Sequence, residues 1–454
     1  PRTMRLRKTI TTIVATAILL AGWQLFAVIA NQPELIPSLP RLVRTLCEWL
    51  VSGSFYQSVG ATIFRGVLGM SISFVCAIGM AGLFARFEWV YELFRPLLAI
   101  MRSIPVISFI LLALIFLNPE SIPLMIAFLT MFPLLTENLT RGILDLRPGL
   151  SIMARQFHIK RSNVLFQIIY PQLKPFLYSG LASAAGFGWR AIIMGEVLSQ
   201  CAFGIGSEMK RAQNFIAVPE LLAWTIVAVF ISFFFDKGIS KVADITPKIS
   251  FANEDQTIPT PTLSVLDTKD ISYQYGIQHF SHSFQKGIIY GISAPSGKGK
   301  TTLLNLIGGI LLPTEGEIHP TRHFGIATIF QQPQLLPHLT AEENIILPLS
   351  SFLTEEKARR IAQKHLQEME MEPFGNRYPK ELSYGQQQRI AIARALAYPS
   401  PLLLMDEPFK GLDEALSHRI IERIREKQMK EERIILFTSH NPDEIRLLAD
   451  EVIY

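Results

Sequence analysis

Charge is what this sequence is short of. Asp, Glu, Lys and Arg make up 18% of its 454 residues, against about a quarter in an ordinary soluble domain. Cysteine is scarce as well, with three in all: Cys47, Cys76 and Cys201. Their spacing matches no metal-ligand pattern and implies no disulfide framework, although a bridge between Cys47 and Cys201 is conceivable. The net charge of +5 comes without a zinc-finger, helix-turn-helix or RNA-binding signature. Much of the basic excess lies beside apolar runs, at Arg2, Arg5, Arg7 and Lys8, then Arg155, Lys160 and Arg161. Positive-inside membrane topology places basic residues there, so nucleic acid is not expected as a partner.

What is there instead is apolar: 49% of the chain is hydrophobic, and the long runs lie in the first half. A bilayer core takes about twenty apolar residues as helix. The segments 10–29, 61–84, 97–117, 122–135, 177–198 and 221–239 predict about six spans. The fourth is short, with room to extend or tilt. The first follows a basic cluster and lacks a small-residue cleavage site, so it reads as an anchor and not as a removed signal peptide. Arg65, Arg190 and Glu196 interrupt the spans. Their cost in hydrocarbon implies that they face protein or a polar cavity, and for Arg65, near a helix end, snorkelling or pairing within the bundle is the expectation. Loop charge puts the N-terminus, 86–95 and 137–174 on the cytoplasmic side, and 31–57, 118–121 and 199–220 outside.

Residues 246–262 read TPKISFANEDQTIPTPT, a polar, proline-containing linker. Beyond it, short β-like runs alternate with helices, the pattern of a parallel α/β sheet. The expected division is 1–248 for the membrane domain, 249–262 for the linker and 263–454 for the α/β domain. Residues 291–304 read GISAPSGKGKTTLL, an apolar strand entering a glycine-rich loop that opens a helix. Such a P-loop cradles phosphate with its backbone N–H groups, here those of Ser296, Gly297, Lys298, Gly299 and Lys300. Lys300 would reach the terminal phosphates, and Thr301 beside Thr302 would ligate Mg²⁺. Ala294 stands where the usual pattern has its first glycine. About a hundred residues on, PLLLMDEP at 401–408 ends a buried strand in Asp406, expected to hold Mg²⁺, and Glu407, expected to polarise the attacking water.

The segment LSYGQ at 382–386, followed by QQRIAIARAL, resembles the signature of ABC transporter ATPases. The resemblance extends over nearly all of 263–454. It implies that Gln331 in IFQQP is the Q-loop glutamine, near both the reacting water and the metal. It also implies that Gly411-Leu412-Asp413 is the D-loop and that His440 in TSH is the switch histidine. Tyr275 would stack on adenine, with Tyr273 as the alternative. Ser383, Gly385, Gln386 and Asp413 would meet the ATP bound to a second copy. Tyr384 replaces the first signature glycine. Glycine is the least obstructive residue beside phosphate, so Tyr384 is expected to slow the cycle.

The first half resembles the permeases of the sulfonate, taurine and nitrate importer group. The resemblance rests on Ile36-Pro37-Ser38-Leu39-Pro40, on Arg102-Ser103-Ile104-Pro105, and on Gly195-Glu196 with Gly204-Ile205-Gly206. Residues 150–171 occupy the place of the cytoplasmic coupling loop. Ile152, Met153 and Ala154 stand in its E-A-A positions, and His158 stands at its glycine. The implied protein is an all-α transmembrane bundle followed by an α/β P-loop NTPase domain of ABC type. It would bind ATP and Mg²⁺, act as a homodimer in the bacterial inner membrane, and take solute from an external binding protein. The substrate would be a sulfonate, taurine, nitrate or a thiamine precursor. The rivals are an ABC exporter half-transporter, disfavoured by the short membrane part, and a non-transporting membrane-tethered ATPase, disfavoured by the short outside loops.

Overall fold

The computed structural model describes residues 2–243, 247–256, 263–274, 276–295, 297–320 and 325–453. Contacts divide the chain into two units. Pro1–Leu146 and Leu173–Ile245 form the first, and Arg147–Gln172 and Thr246–Tyr454 form the second.

The first unit is helical. Its apolar runs fall in Arg2–Ala30, Gly53–Arg86, Ile122–Leu144, Tyr170–Ser199 and Val218–Ala243. The run at 97–117 is not one straight span. It breaks into Glu88–Ser103 and Val106–Phe116, bent by 95°. The cause is Pro105, which disfavours helical backbone at Ile104; there ψ is 130°. Among the described residues, four helices are long and apolar enough to cross a bilayer, or five with the bent pair counted as one, and Val14–Ala30 is a shorter apolar helix. The fourth run extends to Leu144, one of the two ways open to so short a run. Large side chains such as Ile115, Phe116 and Phe230 face outward, as a lipid-facing surface requires. Small residues at Ala77, Ala81 and Ala127 let helices approach in the interior.

One polar knot sits in this apolar unit. Glu196 is fully buried. It accepts hydrogen bonds from Arg65 Nη1 at 2.8 Å, Thr62 Oγ1 at 2.9 Å and the Gly206 N–H at 2.9 Å. Arg65 Nη2 also reaches Glu120 at 2.6 Å, and Glu120 accepts from the Ala202 N–H at 2.6 Å. Arg65 therefore pairs inside the bundle, and the segments 118–121 and 199–220 meet there. All three cysteines are free.

The second unit is α/β. Strands β1 (Val265–Tyr273), β2 (Ile277–Gln285) and β4 (Glu315–His319) form an antiparallel sheet in the order β2-β1-β4. Strands β3 (Ile289–Ile292), β5 (Ala327–Ile329), β6 (Leu402–Asp406), β7 (Ile434–Thr438) and β8 (Glu451–Ile453) form a parallel sheet in the order β5-β6-β7-β3-β8. β3, β5, β6 and β7 are buried along their whole length, which is why they read as continuous apolar runs. In such sheets ligands bind beyond the carboxyl ends of the strands. The loop after β3, Gln331 after β5, Asp406 ending β6 and Thr438 ending β7 all lie at that edge.

Candidate functional site

The loop after β3 turns into the helix Lys300–Ile307 through Gly299, whose φ is +84°. A Cβ at Gly299 would lie 2.7 Å from the Gly276 carbonyl oxygen, so the turn and the close approach both require glycine. Lys300 is buried. Its Nζ donates to the Ala294 carbonyl at 2.6 Å and lies 3.2 Å from His440 Nδ1. Ala294 thus takes part through its carbonyl, which the added methyl leaves untouched.

β6 and β7 pair with Asp406 opposite Thr438. That register puts the Thr438 hydroxyl against the Asp406 carboxylate, where Thr301 also reaches it. Thr438 Oγ1 donates to Asp406 Oδ1 at 2.8 Å, and Thr301 Oγ1 donates to Asp406 Oδ2 at 2.9 Å. The Glu407 N–H donates to Thr438 Oγ1 at 3.1 Å. Glu407 itself has φ of +48°, a strained backbone of the kind that clusters at active sites. Its carboxylate lies 3.0 Å from His440 Nε2 and 3.2 Å from Lys410 Nζ. Burial pushes the Glu407 carboxyl up. Hydrogen bonds from Lys410 and Gln331, with the charges of Lys410 and His440, outweigh burial and hold it below its ordinary value.

Thr301, Gln331 and Asp406 line one cavity of about 260 Å³. Hydroxyl, amide and carboxylate oxygens are the donor set a hard divalent cation takes, so the residues fit magnesium. Lys300, Thr301, Gln331, Asp406, Glu407 and His440 therefore converge. Gly297, Lys298 and Thr302 flank them on the loop and its helix. Tyr275 and Ser296 lie outside the described residues.

The other expected residues sit at two helix starts. Ser383 caps Tyr384–Ala397, accepting from the Gln386 N–H at 3.3 Å while Gln386 Oε1 accepts from the Ser383 N–H at 2.9 Å. Asp413 caps Glu414–Glu431, accepting from the Leu416 N–H at 2.9 Å. Gly385 packs against the Gly411 carbonyl. Sequence reasoning missed Lys410 and met Thr438 only as part of the TSH motif, without a role of its own. Lys410 stands three residues after Glu407 and could have been suspected from that spacing.

Residues 147–172 dock on this same unit. Gln156 donates through Nε2 to the Gly308 carbonyl at 2.8 Å, and its own carbonyl accepts from the Ile326 N–H at 2.7 Å. Phe157 packs edge-on to Tyr398 at 5.2 Å and lies under the Arg394 guanidinium at 5.4 Å. Asn163 pairs with the backbone of Ser250 in both directions at 2.8 Å and with Ser350 Oγ at 2.8 Å. His158 has φ of +45°, the left-handed backbone for which glycine is the usual choice. Ile152 and Gly149 line the cavity that holds Thr301, Gln331 and Asp406. Gln156→Ala removes a buried bond and is expected to loosen this contact by about 1–3 kcal/mol. The readout is faster hydrogen exchange at the Ile326 amide; unchanged exchange there would count against Gln156 as an anchor.

Comparison with known proteins matches the two parts of the chain to two different families. The family model for the ABC transporter matches residues 277–410, and that for the binding-protein-dependent transport system inner membrane component matches residues 73–236. The Fe(3+) ions import ATP-binding protein FbpC of Rhizobium etli is 36% identical over 187 residues, which is 39% of this chain and 53% of that protein. The thiamine import ATP-binding protein ThiQ of Yersinia pseudotuberculosis is 34% identical over 203 residues, covering 42% of this chain and 85% of that protein. The chain spans about half the length of FbpC and most of ThiQ. Among solved structures, the dimeric structure of MJ0796, a bacterial ABC transporter cassette, is 31% identical, covers 42% of this chain and 93% of that chain, and has a TM-score of 0.39.

Proposed function

The chain belongs to the ABC transporter family, with an inner-membrane component and an ATP-binding domain in one polypeptide, and from this we propose that it imports a small solute across the bacterial inner membrane by hydrolysing ATP. One observation carries the reading. Residues 147–172, from inside the permease match, pack on the unit that holds Lys300, Asp406 and Glu407. Movement at the ATP site has a direct route to the membrane helices.

The phosphate loop binds ATP through the N–H groups of Ser296–Lys300, with Lys300 on the terminal phosphates and Tyr275 on adenine. Thr301, Asp406 and Gln331 hold magnesium, which when bound neutralises phosphate charge. Glu407 orients a water for attack on the γ-phosphorus. His440 lies between Lys300 and Glu407 and senses the γ-phosphate. A glutamate is charged at neutral pH, and Lys410, Gln331 and His440 hold the Glu407 carboxyl below even its ordinary value. Ser383, Gly385, Gln386 and Asp413 face the ATP of the second copy, because one chain supplies one permease and one ATPase half. A homodimer is the simplest complete assembly. The short outside segments support capture of solute by a separate binding protein.

The substrate belongs to the sulfonate, taurine, nitrate or thiamine-precursor class, and Arg190 favours its anionic members. Arg190 is exposed on its apolar helix and has no hydrogen-bond or ion-pair partner among the described residues. An unpaired guanidinium within a membrane span is costly unless it faces a polar path, and an anion passing there would neutralise it. The test is uptake in proteoliposomes with ATP on the ATPase side and loaded binding protein on the other. Anionic solute should accumulate on the ATPase side, and Arg190→Gln should raise the transport KM about tenfold or more, the loss of one charge-assisted contact. Efflux of hydrophobic compounds without any binding protein would overturn the import reading. Undiminished transport in Arg190→Gln would overturn the role of Arg190.

A further inference from the structure

Tyr384 stands where the family signature has glycine, and two contacts define what it does. Its hydroxyl donates to the Gln331 main-chain carbonyl at 2.7 Å. Its ring occupies the place a side chain at residue 411 would take: a Cβ on Gly411 would lie 2.8 Å from Tyr384 Cδ1. Gly411 has φ of +78°, and its carbonyl would lie 2.5 Å from a Cβ on the neighbouring Gly385. The ring is thus held between two loops and bonded to one of them. The Gln331 side chain lines the same cavity as Thr301 and Asp406 and helps hold the Glu407 carboxyl below its ordinary value.

We propose that Tyr384 is a positioning residue for ATP hydrolysis, joining the signature helix to the Q-loop so that the Gln331 side chain is held on Glu407. The role rests on the hydrolase reading above. It reverses the expectation drawn from the sequence, in which Tyr384 only obstructs. The tyrosine is a strut, and Gly411 is the space that admits it. The signature of one protomer faces the nucleotide of the other, so the strut links that protomer's own Gln331 to the surface where the second ATP binds. The family's glycine has no hydroxyl with which to make this link.

The test is steady-state ATPase of the full chain in nanodiscs. Tyr384→Phe removes one oxygen and leaves the ring. Its kcat should fall roughly 3- to 10-fold, the worth of one hydrogen bond, with KM for ATP unchanged, because no phosphate contact is lost. Tyr384→Gly should fall at least as far. Gly411→Ala should lower kcat more in the wild type than in the Tyr384→Gly background. The strain of positive φ is common to both backgrounds, so the difference isolates the ring contact. A Tyr384→Phe enzyme with wild-type kcat overturns the proposal. So does a rise in KM that matches the fall in kcat, which would report general damage. Glu407→Gln is measured beside them. A wild-type chain without ATPase overturns the hydrolase reading, and a Glu407→Gln enzyme with normal turnover removes Glu407 from the mechanism and the strut with it; if Glu407→Gln is inactive while Tyr384→Phe is normal, only the strut fails.

Discussion

Glu407→Gln is expected to bind ATP and to lose its turnover, by about 10²- to 10⁴-fold, the range for removing a positioned acid–base group. Glutamine keeps the shape of the side chain and its place after β6. It loses the charge that draws Lys410 Nζ to 3.2 Å and His440 Nε2 to 3.0 Å, and with it the group that would polarise water. Binding survives because the phosphate-facing Lys300, and Thr301 with Asp406, are untouched. A dimer closed on ATP should therefore accumulate, visible as nucleotide retained through gel filtration. Lys300→Ala should give the opposite pattern. It removes the charge that donates to the Ala294 carbonyl and would face phosphate, so nucleotide affinity should fall first. Near-normal steady-state ATPase in Glu407→Gln would remove Glu407 from the mechanism and turn attention to His440.

The ATP site was legible because its parts are local. A glycine-rich loop after an apolar strand, and two carboxylates ending another, are each written in fewer than fifteen consecutive residues. The convergence of Lys300, Thr301, Asp406, Glu407, Gln331 and His440 follows from strand order, since the ends of β3, β5, β6 and β7 share one edge. The apolar runs were legible for the same reason, through their length. The break at Ile104-Pro105 was also written in the sequence, in the proline, but the hydropathy of 97–117 concealed it. The contacts that escaped depend on long-range register. Thr438 matters because β6 and β7 place it opposite Asp406. Gln156 matters because the segment after Leu146 docks on Gly308 and Ile326, so the second unit recruits residues that sequence order assigns to the first. Tyr384 was visible as a departure from the signature, but its partner, a main-chain carbonyl more than fifty positions away, leaves no trace in side-chain chemistry.

Arg65→Met is expected to be among the most destabilising single changes in the membrane unit. Glu196 is completely buried, and among the described residues Arg65 is its one cationic partner, at 2.8 Å. Thr62 and the Gly206 N–H supply hydrogen bonds but no charge. Removing Arg65 leaves a carboxylate unpaired in an apolar surround, a loss of about 3–5 kcal/mol, a large share of the 5–15 kcal/mol that stabilises a typical folded protein. The variant should give little monodisperse protein in detergent and a markedly lower melting temperature. Glu196→Gln should be milder. The amide can still accept from Thr62 and Gly206, and Arg65 keeps Glu120 at 2.6 Å and the Phe203 carbonyl at 2.8 Å. The double variant Arg65→Met/Glu196→Gln removes both members of the pair and should recover much of what Arg65→Met loses, because a missing pair costs less than a stranded charge. If Arg65→Met alone melts with the wild type, Glu196 is not held ionised by Arg65 and the knot is not what joins the segments 118–121 and 199–220. If the double variant is no better than Arg65→Met, the loss comes from the packing of the arginine stem and not from the charge it leaves behind.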